Sequence, residues 1–258
     1  GADVQDMLFV KLGQGINAGL ISNGRLHRGA HGGAGLIGHV GTGIKAAEPC
    51  SCGRTDCVEV VAGGSAIELE GTLAAREGRS RALAEILARS GSVTATDVGL
   101  AAQQGDPFSV ELMQRCGRII GEALAVLANL FNPALIVLGG VAAQTADSLL
   151  AAIREVVYRQ SHPLVTRDLR IVRSQMGNSG GLLGVAAEVV DDIFSIRTLE
   201  SWIGLGSAMR RAEVTSLVAR ASQAIRGGDD RPRPPSEGGG PMAGPAAAHA
   251  RAPRSQIG

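Results

Sequence analysis

Residues 29–59 read GAHGGAGLIGHVGTGIKAAEPCSCGRTDCVE, and this stretch decides how the rest of the chain is to be read. Cys50, Cys52 and Cys57 put three thiols on one tight turn, with Gly53 where the backbone has to bend. Structural zinc takes four nitrogen or sulfur ligands in a tetrahedron, so three cysteines need one more donor. His39, eleven residues before Cys50, lies at loop distance; His27 and His31 are competing fourth ligands that spacing alone does not exclude. The blander alternative makes the cysteines small buried hydrophobes or an incidental redox pair. Against it, clustered thiolates without a metal repel or oxidise, and soft thiolate and imidazole donors suit zinc. A secreted disulfide framework would spread its cysteines, whereas the remaining one, Cys116, falls in a helical pattern. The cluster therefore points to metal binding in a reducing compartment.

Upstream of this loop, residues 7–12 (MLFVKL) form a β-rich apolar run that ends in the turn Gly13-Gln14-Gly15. Residues 18–22 predict a second strand, and Asn23-Gly24 is a hairpin signal into a third at 25–27. Downstream, a helix begins at 62–65 and runs through Glu70, and residues 81–89 continue the helical pattern. Thr94 and Asp97 cap a short helix that stops near Gly105. Asp106-Pro107 opens the longest helix, residues 108–131, whose apolar positions Leu112, Cys116, Ile119, Ile120, Ala123, Leu127 and Leu130 recur at three- and four-residue spacing. Asn132-Pro133 stops it. Residues 134–138 (ALIVL) have the length and apolarity of a strand covered on both faces, closed by Gly139-Gly140. A helix at 148–158, a strand at 169–172 and a helix at 182–194 complete the pattern. A meander followed by alternating helices and strands predicts an α/β layered lobe, the element order of one half of the actin-like, ribonuclease-H-like fold.

Composition bounds the rest. The 258 residues suffice for one large domain or two small ones, and 45% hydrophobic residues support a sizeable core. Only 2% are aromatic, so that core is built from Ala, Val, Leu and Ile. The 37 glycines cluster, which points to tight turns and close backbone approaches. A net charge of +1 gives no general attraction to nucleic acid or membrane, and no basic DNA-reading module is expected within the chain. No leader pattern or bilayer-length apolar stretch is seen, so a cytoplasmic location is expected. The chain begins with Gly1 and enters a strand almost at once, which suggests an incomplete N-terminus. Residues 1–195 are expected to form the compact lobe and 196–226 a helical extension anchored by Trp202. Residues 227–258, rich in Pro, Gly, Ala and Arg, are expected to be a disordered tail.

In these residues the chain resembles the ROK family of repressors and sugar kinases. Residues 29–59 are similar to its signature, in which Glu-x-Gly-His leads into Cys-x-Cys-Gly-x-x-Gly-Cys-x-Glu. The resemblance implies that His39 binds zinc and lies against the sugar, that Cys50, Cys52 and Cys57 are the zinc cysteines, and that Glu59 hydrogen-bonds sugar hydroxyls. Residues 13–19 resemble the family's phosphate loop and 132–140 its NP-x-x-IVLGG strand, which would place Gly13, Gly15, Gly139 and Gly140 against a nucleotide. Residues 177–187 resemble its closing glycine turn and helix. The implied fold is the C-terminal lobe of an actin-like ATPase, without the N-terminal lobe and with structural zinc.

Three departures bear on chemistry. The resemblance places the catalytic base, an aspartate in an Asn-Asp pair, upstream of the first strand; Asp3 and Asp6 lack the Asn partner and lie too close to that strand, so no catalytic residue is assigned. Leu36 stands where the family has a sugar-binding glutamate, and a leucine accepts no hydroxyl hydrogen bond. Gln14 and Asn17 replace small residues in the phosphate loop, so ATP binding is not expected of this chain. Asp56 replaces a glycine before the last cysteine and tolerates positive φ, should that position require it.

The expected function is the sugar-sensing effector and dimerisation lobe of a ROK transcriptional regulator. It would bind a sugar or sugar phosphate, pair as a homodimer and reach DNA through an N-terminal domain outside this chain, with no membrane partner. The segments around NPALIVLGG and residues 153–174 look closer to regulators of high-GC bacteria than to kinases. A fragment of a glucokinase-like, ATP-dependent sugar kinase and an inactive decayed copy are the alternatives.

Overall fold

Side chains alternate across a strand, and Leu8, Val10 and Leu12 all lie buried on one face of β1 (Met7–Leu12). The computed structural model in which this is seen describes residues 4–140, 143, 145–195, 199, 200 and 203. β2 (Ile16–Ser22) runs antiparallel to β1, and β3 (Arg25–His27) runs antiparallel to β2. Asn23 and Gly24 both take positive φ, 50° and 73°, as a two-residue hairpin turn requires. β4 (Leu135–Gly139) pairs with β1 in parallel, and β5 (Arg170–Arg173) pairs with β4 in parallel, giving the order β3-β2-β1-β4-β5. This is the mixed sheet of an α/β fold.

The chain makes its long excursion between β3 and β4. A 3-10 turn at Ile37–His39 is followed by α1 (Val58–Ala62), α2 (Gly64–Arg76), α3 (Arg81–Ser90), α4 (Ala95–Gln103) and α5 (Pro107–Phe131). After β4 come α6 (Asp147–Gln160), α7 (Pro163–Thr166), β5 and α8 (Gly180–Ile193). The caps explain several boundaries. Thr94 and Asp97 form a reciprocal capping box, Asp106 accepts from Ser109 N–H ahead of Pro107, and Asn132 ends α5 in the left-handed conformation at φ 47°.

α6 lies directly on α5, because Gly117 and Gly121 leave no side chain between them; a Cβ on Gly121 would stand 2.8 Å from Val156 Cβ. At its other side, α6 donates from the Arg154 guanidinium to the Ile171 carbonyl and from the Tyr158 hydroxyl to the Leu169 carbonyl. Those bonds fix β5 beside β4. One core joins the sheet to α1–α6, with Leu8, Ile67, Leu83, Met113, Leu124 and Ile153 among its fully buried members.

Several expectations move. β2 begins at Ile16 rather than 18, because Leu12 pairs with Ile16 and only Gly13-Gln14-Gly15 turn the chain. The helix expected from 62 is two, since Gly63 is extended and separates α1 from α2. Leu130 is not core: it is 80% exposed, about 200° around the helix from buried Ala128. The short α7 was not anticipated. The chain divides into two compact units, Gly1–Val185 and Ala186–Gly258. The expected extension at 196–226, apart from 199, 200 and 203, and the tail at 227–258 lie outside the described residues. No helix among the described residues is long and apolar enough to cross a membrane.

Candidate functional site

The glycine-rich segment folds back on β2 because Gly35, at φ +92°, lets its backbone close on that strand. Ala18 N–H donates to the Gly35 carbonyl at 2.8 Å, and any Cβ on Gly35 would fall 1.8 Å from Ala18 O. The 3-10 turn that follows carries His39 toward the cysteine loop. Gly41 and Cys57 then pair as an isolated antiparallel bridge, and Gly53 turns the loop at φ +87°.

The result gathers one donor atom each from His39, Cys50, Cys52 and Cys57 within 4.8 Å of one another. Cys50 Sγ is 3.2 Å from His39 Nδ1, and Cys52 Sγ is 3.5 Å from Cys57 Sγ. In a zinc tetrahedron with Zn–S of about 2.3 Å, sulfurs stand about 3.8 Å apart, so the group has the right donors at nearly the right separations. Cys50 and Cys57 are buried and Cys52 is exposed. The Cys52 thiol is pushed down to about 7, chiefly by the Arg54 backbone N–H and by the neighbouring Cys57 and Cys50. Burial pushes Cys57 up to about 12, and the adjacent thiols add to it. The group can hold a metal. His27, exposed on edge strand β3, and His31, exposed in the glycine-rich segment, do not belong to it; His39 is the histidine that stands with the three cysteines.

Glu59 joins this group to the glycine backbone on its other side. It sits in the first turn of α1, with Oε1 accepting from Cys50 Sγ at 3.3 Å and lying 3.8 Å from His39 Nδ1. Its other oxygen lies against glycine backbone: a Cβ would stand 2.9 Å from Oε2 at Gly15 and 3.0 Å at Gly38. His39 and Glu59 are 32% and 19% exposed, so both side chains keep a face to solvent. Leu36, just ahead of the 3-10 turn, is itself exposed.

The four glycines that the family resemblance would place against a nucleotide fall at two places. Gly13 and Gly15 flank the β1–β2 turn, and Gly13 O accepts from Gly64 N–H at the start of α2. Gln14 fills that turn: Ser65 Oγ donates to its side-chain oxygen at 2.6 Å, and its amide donates to Glu68 at 3.1 Å. Gly139 and Gly140 end β4 where a Cβ would meet Phe9 Cζ at 2.6 Å or Leu12 O at 2.2 Å, so their side-chain-free backbone also serves packing. Asp56 does not need positive φ; among the described residues only Asn23 and Asn132 do so without being glycine. Its carboxylate is instead paired with Arg54, a partnership that nothing in the residue pattern distinguishes from an ordinary surface charge pair.

A mixed sheet of this order, interrupted after its third strand by a Cys/His loop that abuts the Glu59 carboxylate, is the arrangement the motif pointed to. The profile of the ROK family matches residues 1–192, and the chain belongs to that family. It is similar to a glucokinase from Halalkalibacterium halodurans, 33% identical over 71% of this chain and 56% of that protein. It is also similar to the DNA-binding transcriptional dual regulator NagC of Escherichia coli K12, 32% identical over 70% of this chain and 43% of that one. Among solved structures, a ROK family transcriptional regulator homologous to Escherichia coli Mlc aligns with TM-score 0.60 and 34% identity, covering 67% of this chain and 42% of its own. The chain thus spans about half the length of the relatives it matches. Regulators and kinases stand among them alike.

Proposed function

We propose that the chain is the sugar-binding effector lobe of a ROK transcriptional regulator, with zinc on His39, Cys50, Cys52 and Cys57 holding the sugar site in shape. The observation that carries this reading is Glu59, whose carboxylate spans from the Cys50 and His39 side chains to the glycine backbone of two converging segments. A carboxylate so placed accepts hydroxyl protons, and a neighbouring imidazole adds a second polar contact of the kind that orients a sugar. Sugar-dependent placement of a DNA-binding segment outside this chain would follow if sugar binds one arrangement better than another. The homodimer and the DNA contact belong to the same proposal and rest on kinship with the regulators.

Gln14 favours the regulator over the kinase. Its tie to Ser65 and Glu68 fills the glycine turn and brings a carboxylate to the start of α2, the end of a helix at which a phosphate would otherwise be favoured. The kinase reading predicts magnesium-dependent ATP binding, and the inactive-copy reading predicts no ligand at all.

Calorimetry against neutral hexoses, N-acetylhexosamines, sugar phosphates and Mg-ATP tests these together. A sugar is expected to bind with millimolar or tighter Kd, Glu59→Ala to weaken it at least about tenfold, and Mg-ATP to give no heat. Sugar binding indifferent to Glu59→Ala would sink the site assignment, and ATP binding would reinstate the kinase. A second expectation concerns Leu36. Restoring an acceptor with Leu36→Glu is expected to tighten sugar binding by about 10- to 100-fold, the equivalent of one well-placed polar contact. Unchanged affinity in the same titration would place position 36 outside the sugar site.

A further inference from the structure

We infer that Arg54 and Asp56 form a positioning clamp that holds the four metal donors in register before a metal arrives; this rests on the metal reading of the Cys/His group. Arg54 touches two of the four donor residues. Its carbonyl accepts from Cys50 N–H at 2.7 Å, and its guanidinium reaches the His39 carbonyl at 3.4 Å. The rest of the guanidinium forks onto Asp56, Nε to Oδ1 and Nη2 to Oδ2, both at 3.1 Å. Asp56 directly precedes Cys57, and its carbonyl takes both the N–H and the hydroxyl of Thr42, at 2.7 and 2.9 Å. Donors from the 39–42 segment and from the 50–57 loop are therefore tied to each other through one ion pair.

Gly41 shows how closely the pair is seated. A Cβ there would fall 2.1 Å from Arg54 Nη2 and 2.8 Å from Asp56 Oδ2, so the fork lies over the backbone that pairs with Cys57. The pair is too exposed to matter much for folding, with side chains 51% and 27% accessible, and exposed ion pairs contribute little. Its leverage is on donor geometry. Groups that orient metal ligands commonly change metal affinity by about 10- to 100-fold when removed.

The test loads the full chain with zinc and follows its transfer to a chromophoric chelator. Arg54→Ala and Asp56→Ala are each expected to release zinc about tenfold faster. The double variant should be no faster than either single, because both break one clamp. Melting points of the chelator-treated proteins should coincide, which separates positioning from a structural role. Gly41→Ala leaves every donor and both clamp residues in place; it should reproduce the fast release in the wild-type background and be silent in the double variant. Wild-type release rates in the single variants, or additive effects in the double, would overturn the clamp alone. A wild-type chain that takes up no zinc would overturn the metal reading and the clamp with it.

Discussion

A chain carrying Cys57→Ser is expected to retain less than about a tenth of a zinc per molecule where its parent holds about one. Cys57 is the most enclosed of the donors, with no exposed surface, and it is structural in two further ways. It pairs across the isolated bridge with Gly41 and directly precedes the first turn of α1, which carries Glu59. A serine hydroxyl keeps the shape but is a poor, hard donor that stays protonated, so three ligands remain where structural zinc takes four. Because the donors are distributed over a loop with little regular structure, zinc bound to them would be part of what folds it. Structural zinc in small peptides contributes about 10–16 kcal/mol, and here the backbone bonds of the 39–57 loop carry some of that load. Amide exchange between residues 39 and 62 should accelerate sharply while the sheet stays protected. Elemental analysis and exchange mass spectrometry read both effects, with Cys116→Ser as the control, since that thiol lies buried in α5 away from the donor group. Full zinc content in Cys57→Ser would refute the donor set.

The other large effect is expected at the α5–α6 contact, where Gly117→Val should destabilise the fold by about 3 kcal/mol, the upper part of the range for overpacking a core. Replacing a helical glycine usually stabilises by about 0.5–1 kcal/mol, so the sign depends on space. At Gly117 there is none: a Cβ would fall 2.6 Å from Leu149 O and 2.8 Å from Ala152 Cβ. The first of these is backbone and cannot swing aside, so α6 must move away from α5. That displacement also loosens the Arg154 and Tyr158 bonds that seat β5. Thermal melting should show a drop of about 6–12 °C, taking about 2–4 °C per kcal/mol for a chain of this size. Gly184→Ala in α8, where no atom of the described residues stands within 4 Å, should melt at or slightly above the parent. A Gly117→Val protein that melts with its parent would mean the two helices are not in the contact described.

What could be read in advance divides by physical range. Strand β4, the start of α4 and the long α5 with its caps were legible because the signals are local: an apolar run closed by glycines, a capping box at Thr94, and Asp106-Pro107 at one end of α5 with Asn132 at the other. The cysteine triplet was legible for the same reason. The choice of His39 over His27 and His31 was not, since it depends on a 3-10 turn and a one-residue bridge that no periodicity announces. Gln14 looked like a defect in a phosphate loop, and only its bonds to Ser65 and Glu68, on a helix far along the chain, give it a role. Leu130 was misplaced because a three-and-four spacing fits two adjacent faces of a helix, and the partner that selects one of them lies elsewhere in the sequence.

The placement of β1 at the centre of the sheet sets an order of assembly. Its antiparallel partner β2 follows after a three-residue turn, but its parallel partner β4 lies beyond five helices. Loop closure over that distance carries a larger entropy cost than any local pairing, and contacts of this kind form late. As the chain leaves the ribosome, the hairpin and the cysteine loop are complete long before β4 exists. The first tertiary contact open to the nascent chain is therefore that of the cysteine loop against β1 and β2, leaving the β4 edge of β1 unpaired until the helical segment has been made. During that interval the apolar edge is the part of the molecule most in need of protection from other chains.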